Sequence, residues 1–192
     1  MSCPIFSSVI TKSLKIQTGF TLLELMATVA IAAILAAVAL PNFRVMIKNN
    51  CLTTDANAIV ASFHVARSEA IKRQTSVTIT AASANNANEW GTGWSVTLNE
   101  DRNGNGALDA GEDYDGDGVL DAAAMVRTVN LSCTLTTIDE TGDRTAFVYQ
   151  LNGFIDTRGT LNVCDDRTGE TGRQINITST GRINTESNFI CP

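Results

Sequence analysis

The residues of this chain best suited to chemistry are oxygen-bearing side chains concentrated between Asn99 and Asp121. Eight acids lie there against a single base, Arg102, so the segment has seven excess negative charges and the remainder is near +1. A twelve-residue calcium loop places oxygen ligands at positions 1, 3, 5, 7, 9 and 12 and glycine at position 6. Residues 101–112 match this pattern, with a backbone carbonyl at position 7. The spacing predicts Ca²⁺ binding by Asp101, Asn103, Asn105, Ala107, Asp109 and Glu112.

A second loop of the same kind begins immediately after the first. With glycine again at position 6, its candidate ligands are Asp113, Asp115, Asp117, the carbonyl of Val119, and Asp121. Its twelfth position is Ala124, so it lacks the bidentate acid and is expected to bind more weakly or to share ligands with the first loop. The sequence gives no sign of flanking helices, which argues against a true EF-hand pair. A solvated Asn/Asp/Gly turn between strands that binds no cation is the alternative.

A different chemistry is indicated by Glu24, the only charged residue in the mostly apolar run from Phe20 to Leu40. About 20 such residues suffice to cross a bilayer as a helix. A carboxylate inside such a span is costly, and it usually has a partner and a function. The preceding residues include Lys12 and Lys15 and no acid, which places the N-terminal side in the cytoplasm. The sequence therefore predicts a single-pass membrane helix that carries one functional acid.

The small residue Gly19 precedes the apolar segment, whereas a secretory signal has its cleavage site after that segment. Cleavage after Gly19 would retain the helix and leave a new amine at Phe20. The run GFTLLE, residues 19–24, resembles the type IV prepilin signature. The resemblance implies that prepilin peptidase removes the leader and that the Phe20 amine is methylated. It also implies a role in assembly for Glu24, whose charge would be matched by the terminal amine of a neighbouring subunit.

Five cysteines are present, of which Cys3 would leave with the leader. The other four would lie outside the cytoplasm, where disulfides persist, and they allow three pairings. A bridge between Cys164 and Cys191 is favoured because it would fix the C-terminal segment to the preceding strand. Cys51 is then left to pair with Cys133. No C-x-x-C spacing indicates a zinc site.

Helical periodicity continues beyond Pro41. The charged residues Lys48, Asp55, Arg67 and Lys72 fall mostly outside the apolar face. The predicted helix runs from about residue 20 to residue 73, with a membrane half and an amphipathic half. The residues of its apolar face are Leu52, Ala56, Ile59, Val60, Phe63, Ala66, Ala70 and Ile71.

After Gln74 the pattern changes to β-branched or alternating runs separated by Gly, Asn and Asp clusters. The fold class is therefore α+β, with one long N-terminal helix packed on antiparallel β-sheet. The predicted strands are Val77–Thr80, Trp94–Leu98, Met125–Leu131, Ala146–Leu151, Thr160–Cys164 and Gln174–Ser179.

Three segments resemble the GspH/FimT family of pseudopilins and minor pilins: ARSEAIKRQTSVTIT at 66–80, GTGWSVTLNEDRNGNGALDAGE at 91–112, and LNVCDDRTGETGRQINITSTGRI at 161–183. Members of that family are low-abundance pilin-like subunits of type IV pilus and type II secretion systems. They share a helix packed on β-sheets and have no catalytic activity. The expected domains are a leader (1–19), a transmembrane segment (20–41) and a pilin-like head (42–192). The head would comprise an amphipathic helix (42–73) and a β region (74–192).

Some members of this family bind DNA through a C-terminal Gly-Arg-x-Arg loop. Residues 181–184 read Gly-Arg-Ile-Asn, so Arg182 is present, the second arginine is absent, and Glu186 follows. DNA affinity rests mostly on phosphate neutralisation, so Arg158, Arg167 and Arg173 could supplement Arg182 if the strands bring them together. A solvated surface arginine is the alternative.

An enzyme is not expected. The single histidine, His64, lies in the helical stretch beside Phe63, and no nucleophile elbow, phosphate loop or dinucleotide fingerprint is present. Trp90 and Trp94 are expected to anchor the sheet core.

The sequence thus predicts a non-enzymatic minor pilin or pseudopilin that supports filament assembly, with a pilus-associated DNA receptor for natural transformation as the alternative. Its expected partners are prepilin peptidase, other pilins or pseudopilins and the bacterial inner membrane. It would reside there as a single-pass protein and then in the periplasm or the pilus. Sequence features alone do not separate a pilus component from its secretion-system homologue.

Overall fold

The computed structural model describes residues 19–83, 88–131, 133 and 136–192. The predicted leader lies outside the described residues, except for Gly19. The described chain contains one long helix and eight strands. It forms two compact units, one reaching to Phe43 and the other beginning at Arg44.

The helix α1 spans Leu22–Arg73, so the single helix predicted from sequence is present. Thr21 caps its first turn, since its Oγ1 accepts a hydrogen bond from the Glu24 backbone N–H at 3.2 Å and its carbonyl accepts one from Leu25 at 3.1 Å. In the N-terminal unit the apolar side chains of α1 are exposed, with values of 76% for Leu22 and 59% for Phe43. By length and composition α1 could cross a membrane.

In the second unit, one face of α1 enters the core. Leu52, Ile59, Phe63 and Ala66 are almost fully buried, as their helical spacing predicts. Two assignments to faces were wrong. Asp55, expected on the polar side, is only 3% exposed, whereas Ile71, expected on the apolar side, is 47% exposed.

The burial of Asp55 has a local explanation. Its carboxylate accepts a hydrogen bond from the hydroxyl of Thr136, a residue that is also buried. Burial raises the pKa of Asp55, and the Thr136 hydrogen bond partly opposes that rise. Asp55 is therefore a polar contact between α1 and the second sheet.

Two four-stranded antiparallel sheets form the β region. The first has the strand order β3-β2-β1-β5 and the second β4-β6-β7-β8. Alternate residues of the central strands point into the core. The strands are β1 Val77–Ala81, β2 Trp94–Leu98, β3 Ala124–Val129, β4 Thr136–Glu140, β5 Ala146–Tyr149, β6 Gly159–Asp165, β7 Arg173–Ile177 and β8 Ile183–Glu186.

All six predicted strands exist, and none of their ends differs from the prediction by more than two residues. The sequence prediction missed β4 and β8. Strand β4 contains two acids, and one of them, Glu140, is buried because its carboxylate accepts hydrogen bonds from the backbone amides of Gly142, Arg144 and Thr160. Strand β8 is an exposed edge strand with little apolar alternation.

Aromatic rings fill the space between α1 and the sheets. The Phe63 ring lies 5.4 Å from that of Phe147 and 6.3 Å from those of both Trp90 and Tyr149, between ring centroids. Trp90 and Trp94 are both buried, so their predicted role as core anchors is confirmed. The Trp90 indole N–H donates to the Arg144 carbonyl at 2.9 Å.

Both disulfides expected from the sequence are present. Cys51 in α1 bonds to Cys133 before β4, and Cys164 in β6 bonds to Cys191 near the C-terminus. They link α1 and the C-terminal segment to the second sheet.

Candidate functional site

The acidic segment is the connection between β2 and β3, which are neighbours in the first sheet. In its first half, Asp101 accepts hydrogen bonds from the backbone amides of Gly104 at 2.6 Å and Gly106 at 2.9 Å. Asn103 Oδ1 accepts from the Asn105 amide at 2.9 Å. Gly106 has φ 72°, which favours glycine and curls the chain around these oxygens.

The second half repeats these bonds twelve residues later. Asp113 accepts from the amides of Gly116 at 2.7 Å and Gly118 at 3.1 Å, and Gly118 has φ 77°. Asp115 accepts from the Asp117 amide at 3.2 Å. The hydrogen bonds at position 7 of the two loops also correspond. The Ala107 amide donates to the Asn105 side chain, and the Val119 amide donates to the Asp117 side chain, both at 2.7 Å. The backbone of the two halves therefore has the same conformation and the same hydrogen-bonding pattern.

Glu112, the twelfth residue of the first loop, is 4% exposed and closes that loop. Its Oε1 accepts from the amide of Arg102 at 3.2 Å, and its Oε2 accepts from the amide of Asp109 at 3.1 Å. These donors occupy positions 2 and 9 of the loop.

The second loop was expected to lack the bidentate acid because its twelfth position is Ala124, and in the structure an acid from outside the loop lies at the corresponding place. Glu100, 2% exposed, accepts from the amide of Tyr114 at 2.6 Å and from that of Asp121 at 2.9 Å. These donors are positions 2 and 9 of the second loop. Glu100 therefore accepts from the second loop the same two hydrogen bonds that Glu112 accepts from the first.

Glu100 was missed because it precedes both loops, but a sequence signal was available. EDRNGNGALD at 100–109 and EDYDGDGVLD at 112–121 form a repeat in which each glutamate leads its own unit. In the structure each glutamate bonds to the other unit's loop.

The acids converge most closely in the second half. Carboxylate oxygens of Glu100, Asp113 and Asp115 lie within 4.8 Å of one another, as do those of Asp115, Asp117 and Asp121. Desolvation, and then the charges of Asp117, Glu100 and Asp115, raise the pKa of Asp121.

In the first half, asparagine side chains occupy positions at which the second half has aspartates. Asp109 Oδ2 accepts hydrogen bonds from the side-chain amides of Asn103 at 2.7 Å and Asn105 at 2.8 Å. In the first half, two of the candidate ligands are therefore neutral amides, whereas the corresponding residues of the second half, Asp115 and Asp117, are acids.

Tyr114 connects the acidic segment to the end of α1. The Arg73 guanidinium lies 3.9 Å above its ring centroid, and the Arg73 Nε bonds to Glu69 at 2.8 Å. The sequence prediction had assigned no role to Tyr114 or Arg73.

The predicted processing and assembly residues lie at the start of the N-terminal unit. Phe20 is 85% exposed, and Gly19 has open space around it. Glu24 lies in the first turn of α1. Among the described residues, no group donates a hydrogen bond to the Glu24 carboxylate or forms an ion pair with it.

The candidate DNA-binding arginines divide into two pairs. Arg182 lies in the β7–β8 turn and Arg158 precedes β6, and the pairings of Gly159 and Ile183 with Ile177 put both at one end of the second sheet. Both are exposed.

Arg167 and Arg173 belong to the other end. Arg173 pairs with Val163, and Arg167 forms a 2.5 Å ion pair with Asp165. The strands thus do not bring all four arginines together.

Comparison with known proteins places these features in a family. Residues 55–181 match the family described as type II transport protein GspH, and residues 14–40 match the prokaryotic N-terminal methylation motif. No curated protein sequence gives a significant match.

Two crystal structures of the Pseudomonas aeruginosa (strain PAO1) type IV minor pilin FimU have the same fold. The structure in space group P21 is 24% identical, with a TM-score of 0.54, and the alignment covers 73% of this chain and 92% of FimU. For the structure in space group P65 the identity is 24%, the TM-score 0.51 and the coverage 71% and 93%. Because the family match spans more than half of the chain and includes strands of both sheets, this chain belongs to the GspH/FimT family of pilin-like proteins.

Proposed function

We propose that this protein is a non-enzymatic minor pilin or pseudopilin. It is cleaved after Gly19 by prepilin peptidase, methylated at Phe20 and anchored in the inner membrane by α1. It then joins a type IV pilus or a type II secretion pseudopilus, with its head on the periplasmic side.

The exposed apolar half of α1, with its single acid, is the observation that carries this proposal. From Leu22 to Phe43 the large apolar side chains are 59–78% exposed, which is unfavourable in water and requires lipid or other helices around them. A charged side chain at the centre of a membrane helix costs about 2.5–3.5 kcal/mol, and Glu24, in the first turn of α1, would bear part of that cost. The amine of a neighbouring subunit's processed Phe20 would offset that cost, so Glu24 favours the filament over the free membrane-bound subunit.

Glu24 also has a simpler candidate role, because Thr21-x-x-Glu24 is a helix capping sequence. Two variants separate the roles. Glu24→Ala should be processed normally yet be absent from sheared filaments. Thr21→Ala, which removes the cap at a cost of about 1 kcal/mol, should still be incorporated. Normal incorporation of Glu24→Ala would refute the assembly role.

We also propose that the acidic segment binds Ca²⁺ in both halves as a structural ion. Support comes from the matching hydrogen bonds of the two loops, from the converging carboxylates and from the two buried glutamates. Since Tyr114 lies under Arg73, ordering of the segment would also stabilise the end of α1.

DNA binding is the second candidate function, favoured by the exposed Arg158 and Arg182 at one end of the second sheet. A mobility-shift assay of the full chain in detergent tests it, with Arg182→Ala as the variant. Binding that weakens with salt and with this substitution would support a receptor role.

A further inference from the structure

A separate group of acids lies outside the acidic segment. Carboxylate oxygens of Glu89, Asp139 and Asp143 fall within 4.8 Å of one another. Glu89 precedes β2, Asp139 belongs to β4, and Asp143 is in the turn between β4 and β5. Glu89 is fully buried, Asp139 partly buried and Asp143 exposed, so the group opens to solvent on one side.

The Glu89 carboxylate is incompletely bonded. Its Oε2 accepts from the Glu140 amide at 3.4 Å, but its buried Oε1 has no hydrogen-bond partner among the described residues. Asp139 Oδ1 is also buried and, in the same part of the chain, has none. A buried carboxylate oxygen without a donor is strongly unfavourable unless a cation or a proton compensates it.

No basic side chain supplies that compensation within the described residues. The nearby Arg144 lies 3.8 Å from Glu140 and donates to the Arg158 carbonyl at 2.8 Å, and no salt bridge reaches the three acids. Burial, and next the charge of Glu89, raise the pKa of Asp139 to about 6. Among the described residues, therefore, no cationic group balances the negative charge of these acids.

We propose that Glu89, Asp139 and Asp143 bind a divalent cation of the Ca²⁺ class. Carboxylate oxygens are the ligands that Ca²⁺ prefers, and its variable coordination suits three acids from three elements, completed by water. The exposed Asp143 gives the ion a route of entry. This site is independent of the acidic segment and of the proposed assembly function.

The ion would act as a clamp between the two sheets. The segment before β2 already covers the outer edge of β4: the Trp90 amide donates to the Ile138 carbonyl at 3.1 Å, and Asn88 Oδ1 accepts from the Ile138 amide at 2.7 Å. A cation shared by Glu89 and Asp143 would fix this covering segment to the turn that follows β4.

Terbium luminescence tests the proposal, using the full chain in detergent. Tb³⁺ replaces Ca²⁺ at sites with oxygen ligands, and Trp90 is adjacent to Glu89 in the sequence. Excitation at the long-wavelength edge of the aromatic absorption band, where tryptophan absorbs and tyrosine does not, therefore favours Tb³⁺ emission from this site. We expect saturable emission that Ca²⁺ displaces. Glu89→Gln and Asp139→Asn should each weaken Tb³⁺ binding at least about tenfold, equivalent to about 1.4 kcal/mol. Glu170→Gln, which removes an exposed acid elsewhere, should not.

Two results would overturn the proposal. One is the absence of saturable tryptophan-sensitised emission. The other is emission that survives Glu89→Gln but is lost with Glu100→Gln, which would place the ion in the acidic segment. Near-UV circular dichroism shows whether Glu89→Gln and Asp139→Asn fold. If either fails to fold, Asp143→Asn on the exposed turn becomes the test, and an unchanged Tb³⁺ affinity in that variant refutes the site.

Discussion

Removal of Glu100 is the sharpest test of the acidic segment. Glu100 lies outside the twelve-residue calcium pattern, and that pattern alone would make it an ordinary surface acid, whose replacement changes stability by no more than about 0.5 kcal/mol. In the structure it is 2% exposed and accepts two backbone hydrogen bonds, at 2.6 and 2.9 Å. Hydrogen bonds to charged groups contribute about 1.5–3 kcal/mol each, so Glu100→Ala should cost about 3 kcal/mol or more, even without metal.

The assay is urea unfolding of the full chain in detergent with a chelator, followed by the emission of the buried Trp90 and Trp94. Glu112→Ala should cost about as much as Glu100→Ala, because its two bonds are equivalent. In thermal unfolding, 3 kcal/mol corresponds to a loss of about 6–12 °C for a protein of this size. Glu170→Ala is the exposed control.

The stabilisation produced by added Ca²⁺ then tests the proposed binding sites. A ligand at 100 times its dissociation constant stabilises the native state by about 2.7 kcal/mol per site. The wild type should gain from two sites and each glutamate variant from fewer. If Glu100→Ala behaves like the Glu170→Ala control while Glu112→Ala is destabilised, the equivalence of the two glutamates is refuted.

Two further predictions concern the head. The disulfides close loops of different length, with separations of 27 residues for Cys164–Cys191 and 82 for Cys51–Cys133. Replacing both cysteines of a pair by serine should cost about 3.5 kcal/mol for the first pair and about 4.5 kcal/mol for the second in urea unfolding; the reverse order would contradict the loop-entropy argument. Asp55 has a raised pKa in the folded state, so its contribution is fully present below the ordinary value of 3.8 and is lost as the pH rises through the folded pKa. The stability of the wild type relative to that of Asp55→Asn should therefore fall as the pH rises across that range; a difference that does not change with pH would refute the assignment.

The sequence predicted those helices and strands whose buried residues follow a regular apolar spacing. The helix was predicted because its apolar residues repeat at helical spacing, and β1 and β2 because Val77, Ile79, Val96 and Leu98 alternate with polar residues. Strand β4 was missed because a buried acid breaks its pattern. Glu140 is acceptable there only because of three amides that the fold brings to it.

The same distinction applies to the candidate sites. The candidate ligands from Asp101 to Glu112 lie within one loop, so the spacing of their residue types is enough to propose them. Glu89 is separated from Asp139 by fifty residues, so only the contact of the segment before β2 with β4 reveals that they meet. Asp55 was placed on the wrong face because its partner, Thr136, is remote in sequence.

The exchange of glutamates between the two ten-residue units limits how this connection could change in length. Glu100 closes the second unit and Glu112 closes the first, so neither unit is complete alone. Deleting one unit would leave a glutamate directly beside its own loop, and inserting a third would add a loop without a reciprocal acid. The segment should therefore be gained or lost in pairs of units, and it should order or melt as a pair rather than one half at a time.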